Sequence, residues 1–333
     1  MSYRKIGKSE LKLSAITFGA WAAGGWMWGG TDTNDAVAAI RAAYEHGITS
    51  IDTAPIYGQG DSEKVVAEAI KDIPRDKIQI LTKFGMRWDL PEGVGSNAWG
   101  SQNNEGHAID IYKYAGKESV IYEVEQSLKR LKTDYIDLYQ IHWPDVTTPI
   151  EETFEAVLRL KEQGKIIEAG VCNYNADETA AANGVVALAS NQVPYSVLRR
   201  DIERDLIPYT IANNIGIIAY SPLERGLLTG KITSDYKFAE GDHRAGLPWF
   251  KGENLVKVNT FLDEVRPVAE EKGVTLAQLF LRWTVEQPGV VVALAGARNA
   301  KQAIENAGAM TLILSTEDLT LIRNAAEKIT LTA

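Results

Sequence analysis

Four polar side chains of types that can move protons are spaced through the first half of the chain: Asp52, Tyr57, Lys83 and His142. A phenol has an unperturbed pKa of about 10 and is a poor acid at neutral pH. A nearby ammonium stabilises the phenolate and lowers that pKa, while a carboxylate keeps the ammonium charged and oriented. A histidine at the same spot would orient a carbonyl oxygen or relay the proton. The four together predict proton delivery to a carbonyl oxygen while a hydride arrives at its carbon.

Each of these residues also has a purely structural interpretation. Asp52 at a strand end could cap a helix or orient a loop, Tyr57 could be a packing aromatic, and a lone His142 could be a hydrogen-bonded structural histidine. A buried Lys83 without a partner would be costly, which favours a functional interpretation for that residue. The prediction therefore depends on the convergence of all four at one place.

The elements that must position them alternate between short apolar runs and amphipathic stretches. The apolar runs are continuous and rich in β-branched residues, as expected for parallel strands buried on both faces. Eight strands are predicted, at 16–21, 48–54, 78–85, 135–143, 166–174, 186–193, 216–222 and 290–297. Helices are predicted at 33–46, 61–71, 118–131, 150–163, 201–213, 299–308 and 316–329. This regular alternation without a break in composition predicts one α/β domain over residues 1–333.

Two closures suit such a chain, an open doubly wound sheet or a barrel. The count of about eight strand–helix units favours the (β/α)8 TIM barrel. Residues 3–14 predict an N-terminal β-hairpin, a plug under the barrel floor. Two long connections, 86–117 and 223–251, follow strands, so we expect them at the C-terminal rim, where barrel enzymes build their sites. Both carry tryptophans, which disordered insertions rarely contain.

Composition excludes several classes of protein. The 333 residues carry a formal net charge of −9, whereas a nucleic-acid-binding protein is expected to have a basic face. The one cysteine, Cys172, cannot form an intramolecular disulfide or a cysteine-based zinc site. We find neither a signal peptide nor an apolar stretch of about 20 residues. We expect a cytoplasmic protein with a small-molecule partner and no metal. We expect a monomer, with an oligomer as the alternative.

At this point several spaced motifs resemble those of the aldo-keto reductases, in the correct order along the whole chain. They lie at 51–58 (IDTAPIYG), 81–83 (LTK), 137–144 (DLYQIHWP), 170–174 (GVCNY) and 220–223 (YSPL). Residues 26–32 and 225–231 resemble the bacterial branch that includes general stress and inositol-operon reductases. The resemblance implies that Tyr57 is the general acid, and the general base in oxidation. It implies that Lys83 and Asp52 adjust the acidity of Tyr57 and that His142 polarises or orients the substrate carbonyl.

The resemblance also implies an NADP(H) site. The carboxamide would be held by Asn173 and Gln192, with Tyr220 stacked on the nicotinamide ring. The pyrophosphate channel would be lined by Ser221, Leu223, Arg225 and Lys231, and the adenosine end by Arg298, Gln302, Glu305 and Asn306. The remaining expected cofactor contacts are Gly19, Ala20, Trp21, Asp52, Cys172, Pro222, Gly226 and Gly296.

Physical reasoning agrees on where the cofactor binds. No Gly-x-Gly-x-x-Gly follows a strand, so a Rossmann site is not supported. Barrels instead bind phosphate with the loops after their last two strands. A guanidinium binds phosphate through bidentate contacts, so Arg298 favours the 2′-phosphate of NADP(H) over NAD(H), although it could also be a solvated loop arginine. Two positions depart from the common pattern: Cys172 replaces serine, and Ala20 replaces threonine after Gly19.

The substrate is encoded more weakly than the chemistry. We expect an aromatic-walled pocket formed by Trp21, Trp26, Trp88, Trp143 and Trp249. Apolar walls with few polar anchors suit small aldehydes, ketones and short sugar-derived aldehydes, with polyols such as glycerol in the oxidative direction. One alternative is a non-catalytic NADPH-binding subunit like those of potassium channels. A metal-dependent barrel hydrolase is disfavoured, because the four histidines are not spaced as a ligand set.

Overall fold

A two-stranded hairpin precedes a barrel in the computed structural model, which describes residues 2–28, 30–91 and 93–332. Strands β1 (Tyr3–Lys5) and β2 (Lys12–Ser14) pair antiparallel. Ile6 and Leu13 are fully buried in one apolar cluster with Leu81 and Leu138 of the barrel strands. The hairpin thus closes one end of the barrel, as predicted. Gly29, within the 26–32 motif, lies outside the described residues, as do Met1 and Ala333 of the predicted domain.

Eight parallel strands close into the predicted barrel. In chain order they are β3 (Ile16–Gly19), β4 (Ser50–Asp52), β5 (Gln79–Phe84), β9 (Ile136–Ile141), β10 (Ile166–Cys172), β11 (Leu188–Pro194), β12 (Gly216–Tyr220) and β13 (Val290–Ala295). Each strand pairs with its predecessor in this series, and β13 pairs with β3 to complete the circle. The carboxyl ends of all eight strands therefore meet at one rim.

The connection after β5, which is a long loop in the sequence prediction, contains regular strands. Strands β6 (Met86–Arg87), β7 (Ser96–Gln102) and β8 (Ala108–Lys113) form a three-stranded antiparallel sheet with β8 in the centre. Polar residues and Gly100 occur within these strands, and further glycines lie between them, which hides the alternating pattern that normally reveals strands. The sheet stands at the rim and contributes to the wall of the site described below.

Helices cover the outside of the barrel. They are α1 (Thr33–Glu45), α2 (Asp61–Ile70), α3 (Lys117–Leu131), α4 (Ile150–Glu162), α5 (Ala176–Val185), α6 (Leu206–Asn213), α7 (Gly252–Glu271), α8 (Leu276–Val285), α9 (Ala300–Gly308) and α10 (Thr316–Glu327). Three of them begin with a capping box, at Asn175, Thr275 and Ser315, which satisfies two free backbone N–H groups at each start. None of the helices in the described residues is long and apolar enough to cross a bilayer.

The predicted strands overlap all eight observed barrel strands, and each observed strand is shorter than its predicted range. β3 ends at Gly19, because the chain turns into a 3-10 helix at Ala22–Gly24. β4 spans only Ser50–Asp52. The predicted helix at 201–213 divides into a 3-10 turn at Asp201–Glu203 and α6. These are differences of element ends, and the order of elements agrees with the sequence.

Candidate active site

A cavity of about 590 Å³ opens at the C-terminal rim of the barrel. Most side chains singled out from the sequence line it, from the floor of the barrel mouth to the loops after β12 and β13. They are Gly19, Trp21, Trp26, Asp52, Tyr57, His142, Trp143, Cys172, Asn173, Gln192, Tyr220, Ser221, Pro222, Leu223, Arg225, Gly226, Lys231, Gly296, Arg298, Gln302, Glu305 and Asn306. The predicted catalytic and dinucleotide-binding residues thus share one cavity.

The four proton-transfer candidates form a connected group beneath this cavity. Lys83, on β5, is fully buried and donates to Asp52 Oδ1 at 2.6 Å and to the Thr53 carbonyl at 2.9 Å. Its ammonium also lies 3.5 Å from the Tyr57 hydroxyl. The His142 ring meets the Tyr57 ring edge to face, with centroids 5.7 Å apart. The ammonium is therefore held between a carboxylate and a phenol, as the residue types predicted.

The net effect on Tyr57 differs from the expected one. Burial raises the pKa of the Tyr57 hydroxyl to about 12, and the charge of Lys83 opposes this only in part. Burial alone would lower the pKa of Lys83, but the neighbouring Asp52 and Tyr57 raise it above its usual value. The lysine thus stays an ammonium and the tyrosine stays protonated at neutral pH. This state suits a proton donor to a carbonyl oxygen.

His142 is a neutral imidazole at physiological pH. Burial, together with the charge of Lys83, lowers its pKa well below the usual value. Its Nδ1 atom is buried and has no hydrogen-bond partner among the described residues. A neutral ring can donate one hydrogen bond to a carbonyl oxygen, but it is not an acid. Its ring lies beside Tyr57, so the two side chains can reach the same oxygen.

At one side of the cavity, polar groups suit the nicotinamide end of a dinucleotide. Asn173, in the left-handed region at φ 60°, donates to the His142 carbonyl at 2.9 Å and accepts from the Tyr220 hydroxyl at 2.9 Å. This bond fixes the Tyr220 ring against the cavity. Burial raises the pKa of the Cys172 thiol, so it stays neutral and donates only weakly.

At the far side, positive charge collects without matching negative charge. Arg225 and Arg298 both line the cavity, and neither forms an ion pair with an acidic side chain of the described residues. Burial lowers the pKa of Arg225, although Glu224 partly offsets this. Lys231 lies 3.7 Å from Glu305. Both guanidinium groups are only partly buried and free to bind an anion, so this end of the cavity fits a phosphate group.

Two loops contact each other beside Arg225 and Arg298, and several of these contacts were not predicted from the sequence. Trp28 pairs with Asp242 in an antiparallel bridge, and its carbonyl accepts from Arg298 at 3.0 Å. Arg244 forms an ion pair with Asp242 at 2.6 Å and donates to the Arg225 carbonyl at 3.0 Å. Trp28 belongs to the 26–32 motif, so the sequence did indicate that this residue lies near the site. Nothing in the sequence spacing connects Arg244 to it.

Four predicted site residues do not line the cavity. Lys83 lies behind Tyr57, as its role requires. Ala20 is fully buried, and its carbonyl accepts from Ser62. Trp88 packs behind the cavity wall, and Trp249 lies beneath the Arg199 guanidinium at 4.9 Å, in a separate groove. The structure adds aromatic and apolar wall residues that were not predicted: Met27, Trp28, Ile56, Met86, Trp99 and Tyr236.

The comparisons with known proteins agree with this arrangement. A family model described as the aldo/keto reductase family matches residues 15–327. The chain belongs to the aldo/keto reductase family. Its membership makes it an oxidoreductase of the carbonyl-reducing type that uses a nicotinamide cofactor. Among the described residues, no three His, Cys, Asp or Glu side chains come together to hold a metal ion.

Three relatives are similar over nearly the whole reductase chain. It is 39% identical to aldo-keto reductase YhdN of Bacillus subtilis (91% of this chain, 86% of that protein). It is 38% identical to a protein named NADH-specific methylglyoxal reductase of Escherichia coli (97% of each). The solved structure of glycerol dehydrogenase AKR11B4 from Gluconobacter oxydans superposes with a TM-score of 0.87 at 34% identity, covering 98% of this chain and 95% of that one.

Proposed function

We propose that this aldo/keto reductase uses NADPH to reduce small aldehydes and ketones, and oxidises small polyols such as glycerol in reverse. One observation carries the proposal: a single cavity has a lysine-paired phenol, Tyr57, at one end and two guanidinium groups, Arg225 and Arg298, at the other. Neither guanidinium forms an ion pair within the described part of the chain. A cavity of about 590 Å³ is within the range of small-molecule sites. Two relatives are named a methylglyoxal reductase and a glycerol dehydrogenase, and these names support small oxygenated substrates.

The residues divide the reduction between them. Bound NADPH supplies the hydride that the carbonyl carbon receives. Tyr57 donates the proton to the carbonyl oxygen, and Lys83 stabilises the phenolate that remains. His142 donates a hydrogen bond to the same oxygen and holds it within reach of the phenol. In alcohol oxidation, the Tyr57 phenolate takes the hydroxyl proton.

The chain offers suitable groups along the whole dinucleotide. Gln192 and Asn173 would hold the carboxamide, and Tyr220, fixed by its bond to Asn173, would pack on the nicotinamide ring. Ser221, Leu223 and Arg225 would hold the pyrophosphate, and Gln302, Glu305 and Asn306 the adenosine. Arg298 would pair with the 2′-phosphate. The Escherichia coli relative is named NADH-specific, so the NADPH preference rests on Arg298 rather than on the family.

A substrate panel run with both NADPH and NADH tests the proposal. We expect consumption of NADPH with small aldehydes such as glyceraldehyde and methylglyoxal, and a lower kcat/KM with NADH. Glycerol with NADP⁺ should give the reverse reaction at alkaline pH. Tight NADPH binding with no turnover on any aldehyde would contradict the enzymatic role and point to a regulatory subunit. Equal kcat/KM for both dinucleotides would contradict the proposed cofactor preference.

A further inference from the structure

The second oxygen of the Asp52 carboxylate has partners that the proton-transfer group does not explain. Oδ1 accepts from Lys83, while Oδ2 accepts from Gln192 Nε2 at 2.8 Å and lies 3.5 Å from Gln140 Nε2. All three donors are at most 2% exposed. Burying a carboxylate is costly unless its oxygens accept hydrogen bonds. The two glutamines therefore supply the second Asp52 oxygen with the hydrogen bonds that its burial beneath Tyr57 requires.

The barrel register brings these side chains to one level. Lys83 of β5 pairs with Gln140 of β9, Gln140 with Gly170 of β10, and Gly170 with Ser190 of β11. Ser190 Oγ donates to Gln140 Oε1 at 3.3 Å. A side chain at position 170 would collide with the Ser190 hydroxyl and approach Gln140 Cγ to 3.0 Å. Glycine at this position makes room for a polar layer across the barrel.

Gln192 differs from Gln140 in one respect that matters: it reaches the cavity. A carboxylate only accepts hydrogen bonds, so Gln192 must turn its NH₂ group toward Asp52. Its Oε1 accepts no hydrogen bond from the described residues. A carboxamide NH₂ is the donor that this oxygen can accept from. One amide side chain can thus bond to the carboxylate on one side and to the carboxamide on the other.

We propose that Gln192 is a positioning residue that joins the carboxamide of the bound dinucleotide to Asp52 and, through Lys83, to the Tyr57 phenol. The inference rests on the proposed function. A hydrogen bond accepted by Oε1 polarises the amide and strengthens the bond that its NH₂ donates to Asp52. The carboxylate charge, which opposes ionisation of Tyr57, is then better compensated. Cofactor binding and the proton affinity of Tyr57 are coupled through this one side chain.

Substitutions of the two glutamines that face Asp52 Oδ2 distinguish this role from simple packing. Gln192→Met keeps the length of the side chain but removes both hydrogen bonds. Gln140→Met does the same at the other glutamine, which does not line the cavity, and is the matched control. Gln192→Asn, whose shorter amide cannot span both partners, serves as a second test in case the methionine variant fails to fold.

The measurements are the NADPH dissociation constant, from quenching of protein fluorescence, and the pH midpoint of kcat for glycerol oxidation with NADP⁺. We expect Gln192→Met to weaken NADPH roughly tenfold and to move the midpoint toward alkaline pH by about one unit. Gln140→Met should move the midpoint less and leave the NADPH dissociation constant within about twofold of the wild type. Gln192→Asn should change both quantities in the direction of Gln192→Met.

Two results would overturn the inference. In one, Gln192→Met or Gln192→Asn weakens NADPH while the pH midpoint stays where it is in the wild-type protein, so that Gln192 is a cofactor contact alone. In the other, Gln140→Met weakens NADPH as much as Gln192→Met, which indicates a general loss of packing. Failure of the proposed function is distinct, because the wild-type protein itself would then show no turnover with aldehydes or glycerol, whether or not it binds NADPH.

Discussion

Tyr57 is surrounded by groups with opposing effects on its proton. Burial and the Asp52 charge hold the proton on, while Lys83, 3.5 Å away, favours its release. Burial dominates and raises the pKa to about 12. The Tyr57 hydroxyl consequently stays protonated over the whole neutral pH range. Proton donation is available without any change of pH, whereas proton abstraction from an alcohol requires the less populated phenolate.

This imbalance predicts opposite pH profiles for the two directions. Carbonyl reduction needs the protonated phenol, so kcat should stay level from about pH 6 to 9 and fall only as the pH approaches the Tyr57 pKa of about 12. Alcohol oxidation needs the phenolate, so kcat should rise through the same range. Initial rates with NADPH and glyceraldehyde, and with NADP⁺ and glycerol, give both profiles. A reduction profile that falls between pH 6 and 8 would disagree, because neither Tyr57 nor the neutral His142 titrates there.

At the scale of elements, the site depends on a buried ion pair that joins two neighbouring strands. Asp52 ends β4 and Lys83 lies near the end of β5, and their side chains are 2% and 1% exposed. Removal of one partner from such a pair leaves an uncompensated buried charge, which costs about 3–5 kcal/mol of stability. Replacement of both by neutral groups avoids that cost.

We therefore expect Lys83→Met to lower the free energy of unfolding by about 3–5 kcal/mol. The double variant Asp52→Asn/Lys83→Met should recover much of this loss and yet remain without turnover. Urea unfolding followed by circular dichroism measures the first quantity, and NADPH oxidation the second. A single variant as stable as the wild type would show that the Asp52–Lys83 ion pair does not contribute to stability as expected.

In the proposed function, the loops after β12 and β13 divide the phosphate groups of the dinucleotide between two arginines, Arg225 and Arg298. Arg298→Ala should weaken NADPH much more than NADH, because only NADPH carries the 2′-phosphate assigned to it. Arg225→Ala is the matched control, since the pyrophosphate is common to both dinucleotides and both should weaken equally. Fluorescence titrations of the two variants give the four dissociation constants. An equal loss of both dinucleotides in Arg298→Ala would reject its phosphate role.

Sequence periodicity predicted the elements of the barrel and failed for those of the rim. Buried parallel strands are continuous apolar runs, so all eight were located from the sequence. Strands β6 to β8 contain polar residues and glycines, and their pairing depends on tertiary contacts such as that between the Trp26 indole and the Gln102 carbonyl, at 2.9 Å. Trp249 shows the same limit, since its position in a separate groove depends on how its loop folds back.

At the scale of the whole molecule, barrel closure turns residues that are far apart in sequence into neighbours. Asp52 and Gln192 are 140 residues apart in sequence, and Trp28 and Arg298 are 270 apart, yet both pairs are hydrogen-bonded. The positions of catalytic residues at strand ends followed from the sequence, because parallel strands of one barrel share a rim. The contacts of Arg244 with Asp242 and the Arg225 carbonyl could not be predicted from the sequence, and neither could the hydrogen bond from Gln192 to Asp52. Both depend on how distant segments are placed in three dimensions.

The central claim is that one phenol gives its proton to a carbonyl oxygen in a cavity that binds a reduced dinucleotide. Tyr57→Phe removes only that hydroxyl and keeps the ring that packs against Trp21, with centroids 6.1 Å apart. The decisive measurement compares, in this variant and the wild type, kcat for glyceraldehyde reduction and the NADPH dissociation constant. We predict a loss of kcat of at least about 100-fold with NADPH binding within about threefold of the wild type. Near-normal turnover in Tyr57→Phe would contradict the account.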